Sequence, residues 1–288
     1  MKYVVITGVS TGIGRASAEE LVEHGYHVFG SVRREADATE LQNKLGKNFT
    51  PLLFDVTDDR AIKTAADRVV DIVGGQGLTG LINNAGMSCS GPLMHIPLDR
   101  LRRQFEVNVI GVIAVTQAFL PLLGARLPQT HPPGRIVNVS SVGGRIAFPF
   151  IGAYSGSKHA LEGMSDALRR ELMIYGIDVM VILPGSVKTA IWDKAEQEDW
   201  SPYAGTDYIG IMREFRQLAL SLARSGVSAD VVGRRIRHAL ETDRPKTRYA
   251  LPDHYITSWL VPRMLPDRWV DRLVASRVGL ERKQSSVR

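Results

Sequence analysis

Tyr154 and Lys158 stand four residues apart in the stretch NVSSVGGRIAFPFIGAYSGSKHALEGM. The helix-like spacing around them projects both side chains from one face, one turn apart. A phenol with a pKa near 10 is a poor base at neutral pH. Bringing it to about 7 takes roughly 4 kcal/mol of added stabilisation of the phenolate. Two unit charges about 4 Å apart at an effective dielectric of 20 interact by roughly that amount, so a lysine ammonium can supply it. A phenol poised in this way could pass a proton to or from an alcohol oxygen. Taken alone, a Tyr-x-x-x-Lys pair is also common as a surface pair, so the elements that carry it must decide.

Those elements read as an alternation. Apolar runs of strand length recur at 3–7, 27–32, 49–54, 80–84, 135–140 and 177–183, rich in Val and Ile with little polar alternation, as in strands covered on both faces. Helix-period segments lie between them, such as GRASAEELVEHG at 14–25 and AIKTAADRVVDIVG at 61–74. The pattern predicts an α/β fold: a single-domain, Rossmann-type, doubly wound parallel sheet with helices on both faces and ligands at the carboxyl ends of its strands. A further helix is expected at about 228–241. No internal repeat or linker divides residues 1–288, so one domain is the economical reading.

The first strand-to-helix turn, TGVSTGIG at 7–14, carries Gly8, Gly12 and Gly14. In a dinucleotide-binding turn, Gly8 would allow the tight bend, Gly12 a close approach of backbone to pyrophosphate, and Gly14 close packing of helix on strand. The helix N-terminus adds free N–H groups and a positive dipole, Ser10 and Thr11 add hydroxyl donors, and Ile13 completes the loop. Glycines also mark ordinary turns, so this signal is weak by itself. A P-loop is excluded because Arg15 and Ala16, rather than Lys and Ser or Thr, follow Gly14. At the end of the second strand, FGSVRRE places Val32 where an NAD-selecting acid would stand, followed by Arg33 and Arg34. A guanidinium there can grip the extra phosphate of NADP(H), which is therefore expected in preference to NAD(H); the competing reading is a solvated pair opening a helix. With nicotinamide beside it, Tyr154 could move a proton while hydride moves to or from the ring.

The totals constrain the remaining classes. The 288 residues are 44% apolar and 23% charged with net charge +6, an ordinary globular composition. The arginines are scattered and mostly alternate with acids, so no nucleic-acid partner is expected. The single cysteine, Cys89, cannot form an intrachain disulfide and reads as packing. No Cys/His set has metal-ligand spacing, so no metal is expected. A reducing, cytoplasmic setting fits, with no secretory signal and no apolar run of membrane-span length expected.

At this point the chain resembles the short-chain dehydrogenase/reductase family, whose motifs stand in order: TGVSTGIG at 7–14, DV at 55–56, NNAG at 83–86, an Asn in FEVNVIG, a Ser before YSGSK, and PG at 184–185. The match spans roughly residues 3–190. The resemblance implies that Tyr154 is the general acid/base, that Lys158 lowers its pKa and binds the nicotinamide ribose, and that Ser141 hydrogen-bonds the substrate oxygen. Ser140 competes with Ser141 and is read as ending the strand. By resemblance Asn108, at the bend of a long helix, holds a water for proton relay from Lys158; a buried Asn satisfying helix backbone is compatible with that role. Asp55 and Val56 are similar to the adenine-contacting pair. Asn84, Ala85 and Gly86 are similar to the wall beside the adenosine ribose, with Asn83 stabilising that strand. Pro184, Gly185, Val187 and Thr189 are similar to the segment on the nicotinamide carboxamide.

Residues 186–226 are expected to fold over the pocket as a lid, with Phe148, Phe150, Ile191, Trp192, Tyr203, Ile209 and Met212 either lining an apolar pocket or packing the lid down. GRIAFPF and SDALRRELMIYGIDV look similar to the retinol and hydroxysteroid dehydrogenase branch, implying an apolar alcohol or carbonyl small-molecule substrate. The helices near 98–123 and 153–175 imply a homodimer or homotetramer. Residues 251–288 read as a C-terminal extension departing from the family core, which could cover the pocket, cap a subunit contact or, as the weaker reading, make peripheral membrane contact. The tail ERKQSSVR reads as disordered. Two rival functions stay open, a reductase of acyl-chain ketones and a non-catalytic dinucleotide-binding regulatory protein, since fold alone does not separate them from the enzyme.

Overall fold

The computed structural model describes residues 1–189 and 196–281. Seven strands form one parallel sheet: β1 (Lys2–Ile6), β2 (Tyr26–Val32), β3 (Phe49–Leu53), β4 (Gly80–Asn83), β5 (Arg135–Val139), β6 (Asp178–Pro184) and a last strand at Arg248–Leu251, in the order β3-β2-β1-β4-β5-β6-last. The six expected runs are all strands, displaced by a residue or so at their ends. The last strand lies in a segment read as outside the family core. It pairs along β6 from Val181↔Arg248 to Pro184↔Leu251, completing the sheet with the first residue of the expected extension.

Period-two alternation along β1 explains why the sheet is covered on both faces. Val4 and Ile6 enter one buried cluster with Leu21, Val232 and Ile236, while Val5, between them, enters the other with Leu81, Val115 and Phe119. The first layer is built from α1 (Gly12–Glu23), α2 (Glu35–Leu45) and the helix Ala229–Glu241, the last close to its expected bounds. The second contains α3 (Asp59–Val73), whose start is fixed by Asp58: its carboxylate accepts the amides of Arg60 and Ala61 at 3.1 and 3.0 Å.

Helical structure then runs unbroken from Leu98 to Leu123, 26 residues that are long and apolar enough to cross a membrane by length and composition, contrary to the sequence reading. More than half of that apolar window is buried, with Val115 and Phe119 packed in the core. Within it, α4 (Leu98–Phe105) passes through a π-helical turn at Glu106–Ile110, which carries Asn108, into α5 (Gly111–Phe119). The long helix α6 (Gly152–Glu171) carries Tyr154 and Lys158. Beyond β6, the lid region is closed at its base by a two-residue parallel pair, Val187↔Val227 and Lys188↔Ser228, with the helix Ile209–Ser225 between. The strand order reverses at β1/β4, so the loops after these strands open a crevice at the carboxyl edge. Ile191, Trp192 and the tail from Arg282 lie outside the described residues.

Candidate active site

The glycine loop has the geometry of a phosphate cradle. Gly8 and Gly12 have φ of +71° and +61°, the left-handed region that a β-carbon disfavours. A β-carbon on Gly8 would lie 3.0 Å from Ala85 Cα, and one on Gly14 would overlap the Gly8 carbonyl oxygen and the Asn84 amide. Gly14 is thus small because helix α1 starts directly on its own loop and on the end of β4. Asn84 joins the two: its side-chain amide donates to the carbonyls of Thr7 and Gly8 at 2.9 and 3.0 Å. Thr7 Oγ1 in turn accepts the amides of Asn84 and Ala85 at 3.0 and 2.9 Å, and Ser31 Oγ accepts that of Gly8 at 2.9 Å. Thr7 and Ser31 were not among the expected site residues. Thr11 precedes α1 with no side-chain cap, leaving the first helical amides directed at the crevice. Ser10 and Ile13 are half-buried there, with Ile13 against the core.

Around the crevice, Val32 ends β2 buried and Arg33 follows with 68% of its side chain exposed, 3.6 Å from Asp55 Oδ2. Arg103, which the sequence reading did not single out, reaches the same oxygen at 3.5 Å and donates to Thr57 Oγ1 at 3.1 Å. Burial pushes the Asp55 carboxyl up, but the Thr57 hydroxyl and amide, with Arg103 and Arg33, outweigh it and hold it below the ordinary range. Arg34 is turned away, donating to both carboxylate oxygens of Asp37 at 2.9 and 2.5 Å. Val56 is buried beneath, its carbonyl facing Gly111. On the other side, Pro184 ends β6, Gly185 N donates to Leu251 O at 2.9 Å, Val187 is buried, and Thr189 faces Gly12, where a β-carbon would stand 3.2 Å away. These residues fit a dinucleotide: bare backbone and free amides at the glycine loop, and a guanidinium at the far end.

Ser141, Tyr154 and Lys158 meet between β5 and α6. Ser140 continues the sheet, its amide donating to Ile182 O at 2.8 Å, and its buried hydroxyl finds no partner among the described residues. Ser141 instead turns outward, accepts the Gly143 amide at 3.0 Å and donates to Pro184 O at 3.4 Å, and a β-carbon on Gly143 would stand 3.4 Å from both its hydroxyl and the Tyr154 ring. Burial pushes that phenol above the ordinary tyrosine range, and the Ser141 hydroxyl opposes it. Lys158, to which the resemblance gives the lowering of that pKa, lies one helical turn further along α6. Its Nζ donates to Val139 O at 2.8 Å and lies 5.9 Å from the centre of the phenol ring. Burial pushes the Lys158 ammonium down to about 8, with Glu162 acting against it.

Asn108 is fully buried. Its Oδ1 accepts the Met87 amide at 2.9 Å, and its Nδ2 donates to Met87 O at 3.0 Å and to Ser157 Oγ at 3.1 Å. It therefore brackets the peptide just past Gly86 and joins it to α6, rather than satisfying its own helix. A β-carbon on Gly86 would lie 3.4 Å from Asn108 Oδ1 and 3.8 Å from Lys158 Nζ, which places that loop, Asn108 and Lys158 side by side. Asn83 donates to Thr116 Oγ1 and Asn138 Oδ1 at 3.0 and 2.9 Å, tying its strand to β5.

The lid packs more than it lines. Tyr203 and Met212 are fully buried and Phe150 nearly so, in one cluster that includes Trp200, Tyr208, Ile209, Phe215 and Leu280. Phe150 has φ +64°, rare for a non-glycine residue, and its carbonyl accepts the Gly91 amide at 2.7 Å. Phe148 stays half-buried. Glu198 pairs with Arg100 and accepts the Ser90 amide, while Tyr203 donates to Ser90 O at 3.1 Å. Cys89 beneath is buried with its thiol pushed up by burial, in keeping with packing.

A parallel sheet with a glycine cradle at its switch point and a Ser-Tyr-Lys group beside it defines an oxidoreductase that binds NAD(P). The comparisons agree. The short chain dehydrogenase family model matches residues 2–200. The chain is 40% identical over 273 residues to an NADPH-dependent 3-dehydrocapnine reductase of Ornithobacterium rhinotracheale, covering 95% of this chain and 96% of that one. It is 34% identical over 287 residues to retinol dehydrogenase 16 of Mus musculus, covering 92% and 87%. A short-chain dehydrogenase from Streptomyces avermitilis superposes with a TM-score of 0.74 at 29% identity over 97% of both chains. This chain belongs to the short-chain dehydrogenase/reductase family, resembling its retinol dehydrogenase branch.

Proposed function

We propose that the protein is an NADP(H)-dependent oxidoreductase interconverting a bulky apolar secondary alcohol and its ketone, or an apolar alcohol and aldehyde. The observation that carries this reading is the junction of Ser141, Tyr154 and Lys158 beside the glycine crevice. Bound nicotinamide supplies or accepts the hydride and, when oxidised, adds positive charge that favours the phenolate. Ser141 holds the substrate oxygen, Tyr154 gives it or takes from it a proton, and Lys158 orients the ribose. Asn108 fixes the loop after Gly86 against Lys158, which supports its proposed place at the start of a proton relay.

The exposed Arg33 beside Asp55, with no acid at Val32, supports NADP(H) over NAD(H), as does the NADPH dependence of the relative from Ornithobacterium rhinotracheale. That relative's being a reductase also supports the direction of reduction. An acyl-chain ketone is the second substrate class to test. Aromatic packing at Phe150, Tyr208 and Phe215 and the retinol dehydrogenase relative support a bulky apolar substrate. Exposed Leu98 and Ile110 on the long helix and Met164 on α6 support a homodimer or homotetramer, and a cytoplasmic setting belongs to the same proposal. NADPH consumption against steroid, retinoid and short β-keto ester panels tests the whole. Turnover confined to short β-keto esters would replace the bulky-substrate reading, and none with any carbonyl would favour a regulatory role.

A further inference from the structure

Glu162 lies one helical turn beyond Lys158 on α6, is 4% exposed, and has no place in the chemistry described above. Its Oε2 accepts two guanidinium N–H groups, from Arg145 Nε at 3.0 Å and Arg248 Nε at 2.8 Å. Arg145 closes the short turn that begins at Ser141. Arg248 opens the last strand, whose end braces the segment after Pro184: Leu251 O accepts the Gly185 amide, and Asp253 accepts the amide and hydroxyl of Ser186, each at 3.0 Å. The other carboxylate oxygen, Oε1, is buried with no hydrogen-bond partner among the described residues. A β-carbon on Gly144 would stand 3.2 Å from Glu162 Cγ and 3.1 Å from the Lys158 carbonyl, so the Ser141 turn rests on both residues.

A carboxylate taken this far out of water is costly unless its charge is matched. Two arginines match it, and the buried Lys158 lies one turn back on the same helix. We infer that Glu162 is a positioning residue of the reaction: its grip on Arg145 and Arg248 sets the Ser141 turn and the Pro184 segment against Tyr154, and its carboxylate, one helical turn from Lys158, is the counter-charge on that side chain's own helix. The catalytic meaning rests on the function proposed above. Among the described residues, the ionisable groups around Lys158 are Tyr154 and Glu162 on its own helix. Arg145 from the Ser141 turn and Arg248 from the last strand stand behind Glu162. Asp166 and Arg169 pair further along, through Arg248 and with each other. Burial holds the Lys158 ammonium at about 8, and Glu162 is the charge that opposes it.

The test follows the Lys158 side chain directly in the full-length protein, by carbon NMR of labelled lysine, assigned by loss of the signal in Lys158→Met. Glu162→Gln removes the charge but keeps the shape, and the Lys158 midpoint is expected to fall by about one pH unit. Glu162→Asp keeps the charge, shortens the grip, and is expected to leave the midpoint near wild type while turnover falls. The fall in Glu162→Gln is a sign that loosening of the fold does not produce, since rehydration would raise the midpoint. Arg145→Gln removes a competing cation and is expected to raise the midpoint, whereas Arg145→Lys, which disturbs the same contact but keeps the charge, is expected to leave it near wild type. If Glu162→Gln does not fold, the difference between Arg145→Gln and Arg145→Lys decides the matter. A midpoint unmoved or raised in Glu162→Gln, or one in Arg145→Gln that is unmoved, lowered or no higher than in Arg145→Lys, overturns the inference. The titration needs neither substrate nor cofactor. A shifted midpoint in a chain that turns over no carbonyl would therefore refute the proposed function and not the electrostatic role of Glu162.

Discussion

Replacing Arg33 with alanine tests the cofactor reading in quantitative terms. The guanidinium is two-thirds exposed and 3.6 Å from Asp55, an oxygen it shares with Arg103 at 3.5 Å. A charge-assisted hydrogen bond to a phosphate contributes about 1.5–3 kcal/mol, and exposure pulls the figure toward or below the lower end. A loss of about 1–2 kcal/mol corresponds to roughly 5- to 30-fold in Kd. Arg33→Ala is therefore expected to weaken NADPH by that factor and leave NADH within about twofold. Fluorescence titration of both cofactors at low and high salt is the assay, and the wild-type preference should shrink as salt screens the exposed charge. Arg34→Ala is the internal control: its guanidinium is committed to Asp37, so neither cofactor should respond. Equal loss for both cofactors in Arg33→Ala, or a larger NADPH defect in Arg34→Ala, would refute the assignment.

Two further outcomes follow from the packing. Gly14→Ala places a methyl group against the Gly8 carbonyl and the Asn84 amide, both fixed by hydrogen bonds, and is expected to cost about 1–3 kcal/mol; a denaturant melt with unchanged midpoint would show that the loop can yield. Burial raises the Asp166 carboxyl, but Arg248 and Arg169 outweigh it and hold it at about 2, so its stabilisation is complete above the ordinary carboxylate range and is lost as pH falls through about 2. Asp166→Asn should therefore lower stability by about 1–2 kcal/mol at pH 7, with roughly half that gap left at pH 3 in urea melts; a gap that does not change with pH would contradict the ion-pair account.

Much of the site is visible in the sequence because its signals are local. Gly8, Gly12 and Gly14 sit within one turn, and Tyr154 and Lys158 within one helical repeat, so spacing alone places them. What escaped the reading depends on contacts between distant segments. Thr7 reads as the end of a strand, yet its hydroxyl receives two amides from residues 84 and 85. Arg33 and Arg34 are indistinguishable as neighbours until Asp37 claims the second and Asp55 stands beside the first. The last strand is four residues headed by an arginine, and it becomes a strand because β6 offers it an edge. Arg103 and Glu162 sit among ordinary helical charges, and only the folded chain brings them to Asp55 and to the Ser141 turn. The lid aromatics were legible as apolar but not as buried, since composition does not tell a pocket wall from a packed layer.

The central claim is that the Tyr154 hydroxyl exchanges the proton while hydride passes between nicotinamide and carbon. Single-turnover transfer from NADPH deuterated at the nicotinamide C4 to a reducible carbonyl, in wild type and Tyr154→Phe, tests it most directly. The expected result is unchanged NADPH affinity with transfer slowed by about 10²- to 10⁴-fold in the variant. Transfer at the wild-type rate without the hydroxyl would contradict it.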